Sequence, residues 1–340
     1  MKPTYAQSGV DVQAVKAAQA RINALIGSTS NAHTPDFLAG HYAGVFEAGW
    51  QKLTMHCDGV GSKLLVAQAL DRHDTVGIDA LAMNANDLIC VGSKPIVGVD
   101  YIALSKMDEG LLEQVMKGLV AGCKEAGVAL IGGETAILPD MIAGDSSKNN
   151  PARADYDLAM TVVGTLEGEP LTGKSMKAGD TLIGLSSSGL HSNGYTLARK
   201  LLPVSEWGEE MLVPTRLYVK AVLEMLSASP SSIHGIAHIT GGAFSKLSRI
   251  GAHAGTGFEL DALPKPEGLF AELEKKVGEP YELYRTFNMG VGMVLACEKG
   301  TEEAVMKTAK KYKLGASVVG HVISKPGVTL VRGGKRISLL

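Results

Sequence analysis

Apolar positions recur at helical spacing in several stretches of the chain and alternate at strand spacing between them. Val12, Val15, Ala18, Ile22, Leu25 and Ile26 predict a helix over 10–26 that ends at Gly27. A polar, glycine-bearing loop over 28–49 follows. Residues 53–57 alternate like a strand, which passes through Asp58-Gly-Val-Gly-Ser-Lys63 into a helix ending at Leu70. Helices are predicted over 75–91 and 111–124; the second is amphipathic, with Gly127 as its cap. Residues 128–131 predict a short buried strand that stops at Gly132-Gly133, and 158–163 another. The polar stretch 166–173 reads as a linker dividing a domain 1–166 from a domain 167–340. After it the pattern restarts with a strand over 181–185, a loop over 186–194, helices over 195–202 and 213–226, a strand over 291–296 and closing strands from Ala316. Strands and helices mix in both halves, so the fold class is α/β (α+β).

The helix over 75–91 is anomalous. No Lys, Arg or Glu occurs between Thr75 and Ser93, so its surface is apolar on most sides. Yet it carries Asp79, Asn84, Asn86 and Asp87. A carboxylate on such a helix is costly unless a cation or several donors answer it. Either Asp87 is functional, or the helix is half-exposed and its aspartates cap or pair.

Three glycine-bearing segments sit where apolar runs end. In Asp58-Gly59-Val60-Gly61-Ser62-Lys63 a strand, a turn and a helix start would aim N–H groups at an anion. There Lys63 could meet a phosphate and Asp58 hold Mg²⁺; the plainer reading is a tight strand–helix turn. Gly132-Gly133-Glu134-Thr135 would add a third hard oxygen ligand, Glu134, to Asp58 and Asp87, unless Glu134 is a surface residue. Ser187-Ser188-Gly-Leu-His191-Ser192-Asn193-Gly194 offers hydroxyls, an amide and free N–H groups for a polar substrate. His191 there is an acid or base, or only a hydrogen-bonding loop residue. Arg285 would be the anion clamp of a site that also contains Asn288.

Glycine changes the picture further: 41 residues, against ~24 for average usage, and they cluster at these run ends. A net charge of −2 and no basic patch argue against nucleic-acid binding. Cys57, Cys90, Cys123 and Cys297 lie in apolar runs with no C-x-x-C spacing, which suits reduced thiols and a cytoplasmic location. The opening residues lack the apolar core of a signal peptide, and no run of ~18 apolar residues predicts a membrane span.

In order and spacing these segments resemble phosphoribosylformylglycinamidine cyclo-ligase (aminoimidazole ribonucleotide synthetase) over nearly the whole chain. The resemblance runs from Tyr5-Ala-Gln-Ser-Gly-Val-Asp11 through Asp58–Lys63, His73–Asp79, Asn86-Asp-Leu88, Gly132–Ala136 and Ser187–Tyr195. Pro214-Thr-Arg-Leu-Tyr-Val-Lys220, Ala237–Gly242 and Tyr284–Asn288 complete it. It implies ATP-dependent ring closure of formylglycinamidine ribonucleotide to 5-aminoimidazole ribonucleotide, releasing ADP and phosphate, in purine biosynthesis. It also implies a homodimer whose N-terminal sheets pair into a barrel. By this resemblance Asp58, Asp87 and Glu134 hold Mg²⁺ and the nucleotide phosphates. Gly59, Gly61, Ser62, Lys63, Gly132, Gly133 and Thr135 surround ATP, and Ser187, Ser188, His191, Ser192, Asn193, Arg285 and Asn288 face the substrate.

The chain departs from the pattern in several places. Cys57 and Ser62 stand where relatives often have Thr, and Asn23 where many have Lys. Residues 41–46 are poorer in glycine than usual, and Ala243 and Met289 replace Gly and Cys. Sibling families fit less well. A selenophosphate synthetase is expected to carry a reactive Cys or selenocysteine in 28–49, and the hydrogenase-maturation sibling a terminal Cys; neither is present. Thiamine-phosphate kinase lacks counterparts of 214–220 and 284–288. A non-catalytic nucleotide-binding regulator would be expected to have lost the carboxylates, and a dinucleotide oxidoreductase needs a G-x-G-x-x-G turn after its first strand.

Overall fold

Period-two alternation builds the first sheet. The computed structural model describes residues 22, 26, 28–34, 41–142 and 153–340, so the helix expected over 10–26 lies outside the described residues except for Ile22 and Ile26. β1 (Gly44–Ala48) and β2 (Gln51–Gly59) form a hairpin, which puts a strand at the end of the loop expected over 28–49. β3 (Lys94–Leu104), β4 (Ala129–Ile137) and β5 (Tyr156–Leu166) complete a sheet of order β1-β2-β5-β3-β4, parallel between β3 and β4 and antiparallel elsewhere. Burial alternates along β5, with the inner side chains under the helices.

β4 corrects one expectation. It runs on through Gly132-Gly133 to Ile137 and is an exposed edge strand. The glycines do not stop it because Gly133 lies against β3: a Cβ there would stand 2.4 Å from an Asp100 carboxylate oxygen. Leu130 packs toward the core, but Ile131 and Ile137 face outward, Ile131 being 65% exposed. Met55, Val99 and Tyr101 are likewise exposed on neighbouring strands.

α2 (Val76–Cys90) and α3 (Glu109–Ala126) cover the inner face, while α1 (Leu64–Leu70) packs chiefly on residues 204–212 of the second half. Asp108 caps α3 by accepting from Leu111 N at 3.0 Å, and Gly127 ends it at φ 76°. Every residue of α2 except Ile78 is buried. It packs on β2, β5 and α3, and its other side meets elements of the second half. The α2–α3 approach depends on paired glycines: a Cβ on Gly77 would come within 2.2 Å of Leu119 N, and one on Gly118 within 2.6 Å of Asp74 O.

The second sheet contains β6 (Thr181–Ser186), β7 (Ile233–His238), β8 (Gly257–Leu260), β9 (Val291–Cys297), β10 (Ala316–Ile323), β11 (Gly327–Arg332) and β12 (Lys335–Ser338). Their order is β12-β11-β8-β10-β6-β9-β7, with only β8 and β11 parallel. Around it lie α4 (Tyr195–Leu201), α5 (Val204–Leu212), α6 (Val219–Ala228), α7 (Leu247–Ala254), α8 (Gly268–Val277), α9 (Pro280–Thr286) and α10 (Glu302–Lys311). The helix expected over 213–226 begins only at Val219. Residues 213–218 form a non-helical strip next to Pro214, whose ring disfavours the helical conformation in the residue before it. α5 went unpredicted. No described helix is long and apolar enough to cross a membrane.

Gly77→Ala should destabilise the protein by about 1–3 kcal/mol or more through overpacking at the helix crossing. Gly127→Ala, where nothing lies within 4 Å, should cost only the left-handed backbone strain of roughly 1–2 kcal/mol. Urea denaturation of both variants checks the order.

Candidate active site

The polar residues of α2 are each answered by surrounding segments. Asp79 is wholly buried, and its Oδ1 accepts from Lys63 Nζ at 2.9 Å, Thr215 N at 2.7 Å, Thr215 Oγ1 at 2.5 Å and Ser192 Oγ at 3.2 Å. The Lys63 ammonium also donates to the carbonyls of Val213 (2.7 Å) and His191 (3.1 Å). Burial pulls the Lys63 amine down, and the Asp79 charge opposes that. Asn86 accepts from Tyr218 N at 3.0 Å and donates to Arg216 O at 2.8 Å. Asn84 accepts from His56 Nδ1 at 2.9 Å and donates to Asp58 O at 3.1 Å. One helix thus pins the strip 213–218 and the 187–194 loop of the second half.

Asp87 occupies the remaining side. Its Oδ1 accepts from His238 Nδ1 at 2.7 Å, and its Oδ2 lies 3.5 Å from His56 Nε2. Burial alone would raise its carboxyl. The His238 hydrogen bond and the Lys246, His238 and His56 charges outweigh that and hold it at about 2. Asp58, at the end of β2, is raised first by burial and next by the Asp87 charge; the Gly59 N–H bond (2.8 Å), His56 and Lys246 oppose this. Two carboxylates therefore repel each other across a small space, which a hard divalent cation would relieve. Lys246 donates to Thr240 Oγ1, and its ammonium stands 5.8 Å from the Tyr42 ring centroid, near both carboxylates.

In the second half, Ser187 Oγ donates to Asn288 Oδ1 (3.1 Å), Asn288 Nδ2 to Gly189 O (2.9 Å) and Ser188 Oγ to Pro214 O (2.6 Å). Ser188 N–H donates to His191 Nε2 at 3.2 Å. His191 is buried at φ 65°; burial, then the charges of His238, Lys63 and Arg216, hold its imidazole far down and neutral. Asn193 Nδ2 reaches Met83 Sδ at 3.8 Å, and Ser62 Oγ lies 3.2 Å from Thr196 Oγ1. Arg285 lies over the Tyr281 ring, 4.7 Å from its centroid.

This arrangement brings Asp58, Asp87 and the 187–194 loop together around α2 and revises several expectations. Lys63 is no exposed phosphate ligand: its ammonium is consumed by Asp79 and two carbonyls, away from solvent. Ser192 is drawn into the same lock. Asn288 shapes the Ser187–Gly189 turn. Glu134 does not join Asp58 and Asp87. It sits on the edge strand in register with Tyr101, which is exposed on the outer face, with β3 and β5 between it and β2. Gly132 and Thr135 are exposed on the same strand, and Gly133 is explained by Asp100. Gly61, at φ 71° with open space above it, keeps the backbone accessible beside Asp58. Among the described residues no cluster of three or more metal-ligating side chains forms; Asp58 and Asp87 are the two carboxylates that feel each other's charge here. Sequence reading missed His56 and Lys246. His56 stood in plain view, two residues before Asp58 on an alternating strand and so on its face.

Comparison with known proteins places this geometry. Residues 40–166 match the model of the AIR synthase related protein N-terminal domain, and 177–333 that of its C-terminal domain. The class is thus a two-part AIR synthase-type α/β protein. Phosphoribosylformylglycinamidine cyclo-ligase of Methanocaldococcus jannaschii is 42% identical, covering 94% of this chain and 92% of its own. That of Thermococcus gammatolerans is 40% identical, covering 98% and 99%. The chain belongs to the phosphoribosylformylglycinamidine cyclo-ligase family. Among solved structures, the HypE–HypF complex matches with a TM-score of 0.70 at 18% identity, over 94% of this chain and 98% of that one. Thiamine-monophosphate kinase from Stenotrophomonas maltophilia matches at 0.64 and 18%, over 93% and 95%; at these identities the likeness is one of fold.

Lys63→Met should destabilise by about 3–5 kcal/mol, because Asp79 is left as an uncompensated buried charge. Lys63→Met combined with Asp79→Asn should cost less than the sum of the two single changes. A double-mutant cycle in urea reads this coupling.

Proposed function

We propose that this protein closes the imidazole ring of formylglycinamidine ribonucleotide at the expense of ATP, giving 5-aminoimidazole ribonucleotide, ADP and phosphate. The carrying observation is the identity of about 40% to cyclo-ligases over almost the full chain. It is joined by the buried helix α2, which aims Asp87 at Asp58 beside the glycine turn.

The chemistry follows from a poor leaving group. An amide oxygen does not depart, but once it carries the γ-phosphoryl group of ATP it leaves as phosphate. The substrate's own nitrogen then attacks the activated carbon and closes the ring. Such a reaction needs positioning and charge neutralisation more than a protein nucleophile. Mg²⁺, when bound, would neutralise the nucleotide phosphates, and Asp58 and Asp87 are the residues to hold it. His238 fixes the Asp87 rotamer through Nδ1–H. His56, fixed in turn through Nδ1–H by Asn84, places its Nε2 3.5 Å from the other oxygen of that carboxylate. Lys246 supplies the positive charge at the site that Lys63 does not. Neutral His191 serves as a hydrogen-bonding residue rather than a cation.

The finer parts of this reading are a boundary near 166/167, a cytoplasmic location and a homodimer. The exposed apolar outer face of the first sheet supports the dimer, since isolated domains rarely leave Met55, Val99, Tyr101, Ile131 and Ile137 uncovered together.

A coupled assay with formylglycinamidine ribonucleotide, ATP and Mg²⁺ should give one ADP per ring closed. Asp87→Asn should lower turnover by at least about 10³-fold, the order seen when an electrostatic contact to the reacting phosphates is lost, while circular dichroism stays unchanged. Ring closure at wild-type rate in Asp87→Asn would remove Asp87 from the site. Light scattering should report a dimer, and Ile131→Asp should shift it toward monomer.

A further inference from the structure

Two buried donors near the 187–194 loop have no acceptor. His191 is 1% exposed. Its Nε2 accepts the Ser188 N–H, so in the neutral ring the proton sits on Nδ1, and Nδ1 has no hydrogen-bond partner. Arg216 Nε is likewise buried without a partner, and among the described residues no carboxylate lies within ion-pair distance of Arg216. The Arg216 charge is felt at His191 and at Tyr218, whose rings lie 6.2 Å apart.

An uncompensated, half-buried guanidinium is expensive to keep. The backbone that carries it is held firmly. Its carbonyl accepts from Asn86, the neighbour of Asp87; Thr215 before it is bonded to Asp79; and Pro214 accepts from Ser188. The strip is therefore registered on both α2 and the substrate-side loop. A planar fork of donors whose charge reaches a neutral N–H donor, with no ion-paired anion among the described residues, suits a tetrahedral oxyanion.

We propose that Arg216 anchors the 5′-phosphate of the ribonucleotide substrate, with His191 Nδ1–H as the second donor. This rests on the reading of the site given above and adds the element that selects a nucleotide over a nucleoside. Arg216 works by binding and orientation; no proton moves through it.

Arg216→Met should raise KM for formylglycinamidine ribonucleotide roughly 10- to 100-fold, the loss of one or two charge-assisted hydrogen bonds. It should leave kcat and the ATP Kd within about 3-fold. Arg216→Lys should recover part of the KM. KM for the corresponding nucleoside, lacking the phosphate, should be the same in wild type and Arg216→Met. In thermal unfolding, ribose 5-phosphate should protect wild type more than ribose does, and Arg216→Met should lose the difference. If wild type closes no ring yet shows this Arg216-dependent protection, the assigned reaction fails and the anion site stands. The proposal is overturned if Arg216→Met weakens ATP rather than substrate, affects nucleoside and nucleotide equally, or leaves protection by ribose 5-phosphate intact. It is also overturned if Arg285→Met, and not Arg216→Met, produces the KM effect.

Discussion

The buried pair of Lys63 and Asp79 is the constraint on which the rest of the molecule depends. Taking both charges out of water costs several kcal/mol per ion before their attraction is counted. The structure meets this by gathering four donors on one Asp79 oxygen and two further acceptors around the Lys63 ammonium. Lys63 and Asp79 belong to the first half, whereas Thr215, Ser192 and the carbonyls of Val213 and His191 belong to the second. Satisfying the pair and docking the halves are therefore the same event. Asn86 repeats the device two turns along the helix, toward Tyr218 and Arg216.

With the scaffold fixed, the reacting side of α2 remains under electrostatic tension. Asp87 is held ionised by His238 and its cationic neighbours, while Asp58 is pushed the other way by burial and by Asp87 itself. Two carboxylates whose environments drive them apart mark a place prepared for positive charge. The Lys246 charge is felt by both carboxylates, while its ammonium is bonded to Thr240.

Much of this was legible in the sequence because it depends on local pattern. The absence of Lys, Arg and Glu from 75–93 gave away α2 as buried, and strand–glycine–helix punctuation located Asp58 and the 187–194 loop. What stayed hidden depends on distant pairing. Lys63 in a glycine turn reads as a phosphate ligand until Asp79 is seen beneath it. Glu134 reads as a ligand because Gly132-Gly133 resembles a turn, whereas Asp100 on the adjacent strand demands a small residue there. β3 escaped notice since Pro95 and Gly98 interrupt its alternation, and the strip 213–218 passed for helix because its apolar spacing continues into α6. Arg216, lodged in that strip, figured in the sequence only as part of the Pro214–Lys220 segment, with no role of its own.

The near-total enclosure of α2 has a consequence for the chain while it is being made. The helix is complete at Cys90, but His238, which covers its Asp87 side, is synthesised almost 150 residues later. At roughly 5–20 residues per second, a ribosome leaves that surface uncovered for on the order of ten seconds or more. During this interval the nascent polypeptide presents an apolar helix whose Asp87 lacks His238 and whose Asp79 has Lys63 but not Thr215 or Ser192. Its passage to the native state is therefore vectorial only in part: the first half cannot finish until the second arrives to close over it.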